Sequence, residues 1–156
     1  MTITANWSYP TAIKFGAGRI KELADHCKAV GMKKPLLITD RGLSTMAITQ
    51  GALDILDAAG LGRAMFAEVD PNPNDKNLEA GVKAFKDGGH DGVVAFGGGS
   101  GLDLGKAVAF MAGQTRAVLG FGAFGGWWTT RKSACPGSVV AGRPTPPSAA
   151  PPAARR

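Results

Sequence analysis

The sequence predicts an α/β fold in which a parallel sheet is flanked by helices. Along residues 10–112, short apolar runs alternate with stretches of helical periodicity. This is the order that parallel strands joined by crossover helices require. Two of the runs, PLLIT at 35–39 and VVAF at 93–96, show no alternation of polar and apolar residues. Strands that are buried on both faces have this continuous pattern.

The first half of this region contributes two strands and two helices. Residues 11–15 are predicted as a strand, and residues 19–30 as a helix with one apolar face. The buried strand 35–39 follows and ends at Asp40. A second helix is predicted over residues 46–59.

The second half repeats this order. A strand is predicted over residues 64–69 and a turn over DPNPN at 70–74. A helix over residues 75–87 leads to the buried strand 93–96, and a last helix is predicted over residues 100–112.

Three glycines and a serine, Gly97–Ser100, separate this last strand from its helix. Glycine lets backbone N–H groups approach a ligand, and a helix N-terminus suits a phosphate. The Ser100 hydroxyl can cap the helix or bond an oxyanion. The same loop also suits a ligand-free turn, so these residues alone leave both interpretations open. The usual Rossmann fingerprint is not matched, because no acidic residue follows Asp103 and the acid at the end of a buried strand, Asp40, lies upstream.

The excess of positive charge lies in the C-terminal third. Residues 1–103 contain 11 Lys/Arg and 12 Asp/Glu, a net charge of −1, whereas residues 104–156 contain 7 Lys/Arg and no acid, a net charge of +7. The +6 of the whole chain is therefore not a basic patch on the folded part. No aromatic residue lies among the charges after Trp128, so nucleic-acid binding is not expected.

Composition divides the chain into a folded domain, residues 1–116, and a tail, residues 117–156. The tail is rich in Gly, Ala, Pro and Arg, shows no sustained periodicity, and has six prolines from residue 136 onwards. Such a segment is predicted to be disordered or poorly packed.

Several stretches, in this order, resemble the iron-containing (group III) alcohol dehydrogenases. They are AIKFGAGRIKEL, KKPLLITDRGL, DPNPN and AFGGGSGLDLGKAVA. The family pattern G-G-G-S-x-x-D-x-x-K is complete here in Gly97–Ser100, Asp103 and Lys106. The resemblance covers residues 9–116 and implies that residues 1–116 are a dinucleotide-binding domain. Its fold would be Rossmann-like, as in dehydroquinate synthase and the N-terminal domain of the iron alcohol dehydrogenases.

The resemblance implies NAD as the cofactor, bound by Asp40, Asn72, Gly98, Gly99, Ser100 and Asp103. The glycine loop would hold the pyrophosphate and Asp40 the adenosine ribose. Asn72 would lie at the adenine side, and Asp103 near the nicotinamide. Each also has a structural alternative. Asp40 can cap the segment that follows it, Asn72 can be a turn residue, and Asp103 can complement the helix dipole or pair with Lys106.

The resemblance also implies an enzymatic activity that needs residues not found in this chain. Members of the family hold Fe²⁺ or Zn²⁺ in a further helical domain and oxidise a small alcohol or reduce an aldehyde. Here the threonine-rich loop of the family is missing, and His26 and His90 are the only histidines. We therefore assign no catalytic or metal-binding residue and expect no alcohol turnover by this chain alone. The acid-free tail resembles a GC-rich gene read in a shifted frame, a hypothesis that the coding DNA tests.

Three alternative functions stay open at this point. They are a dehydroquinate synthase-like lyase fragment, a non-catalytic nucleotide-binding remnant, and a nucleic-acid binder that uses its basic tail. The two cysteines, Cys27 and Cys135, lie far apart and fit a reducing compartment, so a cytoplasmic location is expected. No signal peptide and no membrane segment are predicted. Assembly into a homo-oligomer is left open.

Overall fold

The computed structural model describes residues 13–114 and the backbone of residues 137–141. The strands within these residues are β1 (Pro35–Ile38), β2 (Met65–Phe66), β3 (Gly92–Gly97) and β4 (Gly137–Ala141). The helices are a 3-10 helix (Arg19–Glu22) that leads into α1 (Leu23–Ala29), then α2 (Arg41–Ser44), α3 (Ala47–Ala58), α4 (Asp75–Asp87) and α5 (Gly99–Met111).

The four strands form one parallel sheet in the order β2-β1-β3-β4. The central pair runs in register from Pro35 opposite Gly92 to Ile38 opposite Ala95. The chain therefore continues from β1 to β2 on one side of it, and then crosses back so that β3 pairs with the other side of β1. The point between β1 and β3 is the topological switch of this sheet, where open α/β folds bind their ligands.

Both faces of the sheet are buried, as the unalternating strands predict. Leu37 and Val94 pack on one face against α1 and α3. Ile38 and Val93 pack on the other face against α4 and α5. All four side chains are at most 1% exposed. Because neighbouring residues of a strand point to opposite faces, an apolar run is what two helical layers require.

Helix α4 shows how local sequence sets an element's bounds. The Asn74 side chain accepts the N–H groups of Lys76 (3.0 Å) and Asn77 (3.2 Å), and the Asn77 side chain accepts the Asn74 N–H (3.0 Å). This reciprocal cap satisfies donors that a helix start otherwise leaves unpaired. The predicted bounds, 75–87, are confirmed.

The predicted sheet and its helices are confirmed, with three local differences. Residues 13–15 form no strand, and the first two residues of that predicted strand lie outside the described part. The strand predicted over 64–69 is only Met65–Phe66. A one-turn helix, Arg41–Ser44, follows Asp40 where the sequence predicted only a strand end.

Strand β4 lies inside the segment whose composition predicts a poorly packed tail. It pairs with β3 from Val93 opposite Gly137 to Gly97 opposite Ala141. The rest of that segment lies outside the described residues, so the boundary at residue 116 stays a prediction. In the part of the chain that the structure describes, no helix has the length and apolarity to cross a membrane.

Candidate functional site

An open cleft of about 350 Å³ lies at the carboxyl edge of the sheet. Three segments line it, residues 40–42, 69–71 and 98–100. The first follows β1, the second follows β2, and the third follows β3. The cleft is therefore at the switch between β1 and β3, where the parallel strands deliver their following loops to one place.

Asp40 does two things at this cleft. One carboxylate oxygen, Oδ1, accepts the Leu43 N–H at 2.9 Å and caps the short helix α2. No hydrogen bond from the described residues reaches its other oxygen, Oδ2. The structural alternative raised by the sequence is thus confirmed, and it leaves one oxygen of a cleft-lining carboxylate for a hydroxyl donor.

The N-terminus of α5 has Gly98 as its N-cap residue. Within residues 13–114, no side chain accepts a hydrogen bond from the first turn of this helix. The Ser100 hydroxyl does not cap the helix but donates to the Pro71 carbonyl at 2.6 Å, across the cleft. The first N–H groups of any helix lack intrahelical acceptors, and they carry the positive end of the helix dipole. An anion at this cleft would satisfy them.

Room for such an anion is present beside the backbone. A Cβ atom built on Gly98 or Gly99 would meet no atom of the described residues within 4 Å. Gly98 has φ −88° and ψ −172°, a conformation open to any residue. Packing against the described part of the chain therefore does not require glycine at either position. Together with the uncapped helix, this space fits the pyrophosphate of a dinucleotide, and the residues that would hold it are the predicted Gly98, Gly99 and Ser100.

Two further residues at the cleft, Arg41 and Asp70, form an ion pair. Arg41 Nη2 lies 3.9 Å from Asp70 Oδ1, and both side chains line the cleft. The buried Asn77 donates through Nδ2 to Asp70 Oδ2 and to the Glu68 carbonyl, each at 3.1 Å. The sequence analysis did not assign Asp70 or Asn77 to the site. The only local signal for Asn77 was its position three residues after the N-cap Asn74, where a side chain can reach back.

The structure does not bring Asn72 and Asp103 into the lining of this cleft. Asn72 is exposed in the turn before α4. Asp103 is exposed on α5 and pairs with Lys106 at 2.9 Å, the i,i+3 pair that was its structural alternative. Their proposed contacts with the adenine and nicotinamide ends stay predictions.

Within residues 13–114, the titratable groups with shifted pKa values are Arg19, Glu22 and Cys27, none of which lines the cleft. The side-chain hydrogen bonds from Arg19 lower the pKa of Glu22 to about 2. Burial raises the pKa of the Cys27 thiol to about 11, so this core thiol is not an activated nucleophile.

The described residues contain no group of three His, Cys, Asp or Glu side chains that could hold a metal ion. His26 lies beside Glu22 on the first helical segment, with Nε2 3.3 Å from Oε2. The His90 ring nitrogen Nδ1 lies 3.0 Å from the Lys34 carbonyl. Among the described residues, these two histidines do not fit a Fe²⁺ or Zn²⁺ centre.

Comparison with known proteins identifies the family that this chain resembles. A family model described as iron-containing alcohol dehydrogenase matches residues 10–140. A 4-hydroxybutyrate dehydrogenase from Cupriavidus necator is 36% identical over 104 residues, which is 67% of this chain and 27% of that protein.

Two solved structures are similar in fold. One is described as a 1,3-propanediol oxidoreductase, with a TM-score of 0.74 and 31% identity over 81% of this chain and 32% of that one. The other is an NADH-dependent butanol dehydrogenase A from Thermotoga maritima, with a TM-score of 0.74 and 25% identity over 88% of this chain and 34% of that one. This chain spans about a third or less of the length of these relatives.

Proposed function

We propose that this chain, which belongs to the iron-containing alcohol dehydrogenase family, is the part of an NAD-dependent alcohol dehydrogenase that binds the dinucleotide. The observation that carries the proposal is the uncapped N-terminus of α5, which opens onto a cleft beside two glycines with free space around them. The NADH dependence of the similar butanol dehydrogenase supports the choice of cofactor.

The pyrophosphate would lie against Gly98, Gly99 and Ser100. A side chain at either glycine would fill the space that the phosphate oxygens need, although it would meet no atom of the described residues. The backbone N–H groups of the first turn of α5 would donate to those oxygens. The hydroxyl of Ser100 is already bonded to Pro71 and so would help to hold the two cleft walls together.

The adenosine ribose would lie at Asp40. Its oxygen Oδ2 would accept a ribose hydroxyl while Oδ1 keeps the cap of α2. A carboxylate at this position also repels a 2′-phosphate. Two like charges about 4 Å apart cost on the order of 1 kcal/mol in water and several-fold more near a protein surface. We therefore expect NAD to bind about ten- to a thousandfold more tightly than NADP.

The complete reaction of the whole protein is proposed to be hydride transfer between a small alcohol or aldehyde and the nicotinamide. The cofactor supplies the hydride chemistry, and the protein binds and orients it. The described residues offer no ligand set for the Fe²⁺ or Zn²⁺ of such an enzyme. We therefore expect this chain to bind the dinucleotide without turning over alcohols, even when either metal ion is added.

Calorimetric titration of the full chain with NAD⁺ and with NADP⁺ tests the proposal. The matched variants are Asp40→Asn and Glu79→Gln, which remove one negative charge from the cleft and from the exposed face of α4, respectively. We expect Asp40→Asn to narrow the preference for NAD⁺ and Glu79→Gln to keep it. Absence of NAD⁺ binding by the unmodified chain would contradict the proposal, and equal binding of both cofactors would remove Asp40 from the ribose site.

A further inference from the structure

We infer that Asp70, held in place by Asn77, is a second determinant of dinucleotide specificity. It forms an ion pair with Arg41, the arginine that would otherwise bind a 2′-phosphate. The inference rests on the proposed function, since it concerns the same cleft. It assigns a role to two residues that the glycine-loop pattern does not contain.

The position of Arg41 would by itself favour a dinucleotide with a 2′-phosphate. Arg41 follows Asp40 directly and lines the same cleft. A guanidinium binds phosphate oxygens through two parallel hydrogen bonds, so an arginine beside the ribose favours NADP. The charges of Asp40 and Arg41 sum to zero, so a free Arg41 would offset part of the repulsion between Asp40 and a 2′-phosphate.

Asp70 adds a second negative charge from the opposite side of the cleft. Its Oδ1 lies 3.9 Å from Arg41 Nη2. Asp70 and Arg41 come from loops that follow different strands, β2 and β1, so the pair exists only in the folded sheet. With Asp70 included, the ionised groups that line the cleft sum to −1. A dinucleotide with a 2′-phosphate would then meet an excess of negative charge and an arginine that already has a partner.

Asn77 explains why the Asp70 carboxylate faces this way. Asn77 is buried, and both ends of its amide are used. Its Oδ1 accepts the Asn74 N–H at 3.0 Å, and its Nδ2 donates to Asp70 Oδ2 and to the Glu68 carbonyl. The amide orientation is fixed because its oxygen faces a donor and its nitrogen faces two acceptors. Asn77 thus engages one oxygen of Asp70 and leaves the other towards Arg41.

The test is Asp70→Asn in the full chain, titrated with NAD⁺ and NADP⁺. An asparagine can still accept from Asn77 but no longer neutralises Arg41. We expect the ratio of NADP⁺ to NAD⁺ affinity to rise about three- to tenfold, a modest factor because the Arg41 and Asp70 side chains are 69% and 45% exposed. The double variant Arg41→Ala/Asp70→Asn should lose this gain. Raising the salt concentration should reduce it, since screening acts on exposed charges.

Glu79→Gln is the matched control, because it makes the same change of charge on α4 outside the cleft. An equal shift in Glu79→Gln would overturn the inference in favour of a general charge effect. An equal loss of affinity for both cofactors in Asp70→Asn would also overturn it, since a purely structural role predicts that result. If NAD⁺ binds but the ratio does not move, the inference fails and the proposed function stands. If the unmodified chain binds no NAD⁺, both fail.

Discussion

The glycines between β3 and the middle of α5 fall into two groups with opposite surroundings. A Cβ at Gly105 would lie 2.4 Å from the Ala95 Cβ, and one at Gly101 would lie 3.1 Å from the Phe96 carbonyl oxygen. Gly98 and Gly99, by contrast, have no atom of the described residues within 4 Å of that position. The first group is required by the structure of the chain, and its members Gly101 and Gly105 let α5 pack closely on β3. The second group makes no such contact with the described residues.

Gly97 belongs to the first group for two reasons. Its φ of +120° is one that residues with a side chain rarely adopt, and its Cβ would lie 2.5 Å from Leu43 Cδ1. The glycines of one run therefore have different structural roles. Packing and backbone geometry account for Gly97, Gly101 and Gly105, so Gly98 and Gly99 are the two glycines of this run that the proposed ligand would explain.

The largest expected effect is the loss of stability in Gly105→Ala. The new methyl group would push α5 away from the sheet, and overpacking of this kind costs about 1–3 kcal/mol of unfolding free energy. Gly51→Ala in α3 is the matched control, because its Cβ meets nothing within 4 Å and Ala is the better helix former by about 0.5–1 kcal/mol. Urea denaturation measures both. Equal stability of the two variants would show that the close approach at Gly105 is not a constraint.

Gly99→Ala should produce the opposite pattern. Its free energy of unfolding should stay within about 0.5 kcal/mol of the unmodified chain, since the substitution meets no atom. Its affinity for NAD⁺ should fall at least about tenfold, because the methyl group would occupy space that the pyrophosphate needs. Calorimetry and urea denaturation on the same sample separate the two quantities. A stable variant that binds NAD⁺ normally would place the pyrophosphate elsewhere.

A smaller effect separates the two constraints at Gly97. Gly97→Ala introduces both the contact with Leu43 and an unfavourable positive φ, whereas Leu43→Ala removes only the contact. The double variant should therefore recover part, on the order of 1 kcal/mol, of the stability that Gly97→Ala loses. No recovery would mean that the backbone conformation alone requires glycine there.

The smallest expected effect is a change in the alkylation rate of Cys27, which packs on the face of the sheet opposite α5 and therefore reports on opening of the fold. Cys27 is buried in the core cluster with α3, and burial raises its pKa to about 11 from 9.0. In a Cys135→Ser background, alkylation of Cys27 at pH 8 should be slow, and faster after Gly105→Ala but not after Gly99→Ala.

The Cys27 thiol also predicts how the stability of the folded chain changes with pH. Its folded pKa lies above its unfolded pKa, so the unfolded chain loses the proton first. Stability should therefore fall as the pH rises above about 9, which urea denaturation at two pH values would detect. Fast alkylation of the folded chain at pH 8 would contradict the burial on which both expectations depend.

The helices and strands that are set by residues within or next to them were the most predictable from the sequence. The bounds of α4 follow from Asn74 before it and Gly88 after it, and the burial of β1 and β3 follows from runs without alternation. The strand predicted over 11–15 is absent from residues 13–15, and β2 has only two residues, because a strand exists only where a partner pairs with it. Composition did not indicate β4 for the same reason, since pairing with β3 defines it.

Two buried parallel strands were enough to predict that Asp40 and the glycine loop lie together, because such strands end at one edge of the sheet. The folded chain was needed to find the close approaches at Gly101 and Gly105, the bond from Ser100 to Pro71, and the pair of Asp70 with Arg41. These features differ in the range of the interactions involved. A strand end or a helix cap depends on a few neighbouring residues, whereas a contact across the cleft depends on how closely α5 and the loops after β1 and β2 approach one another.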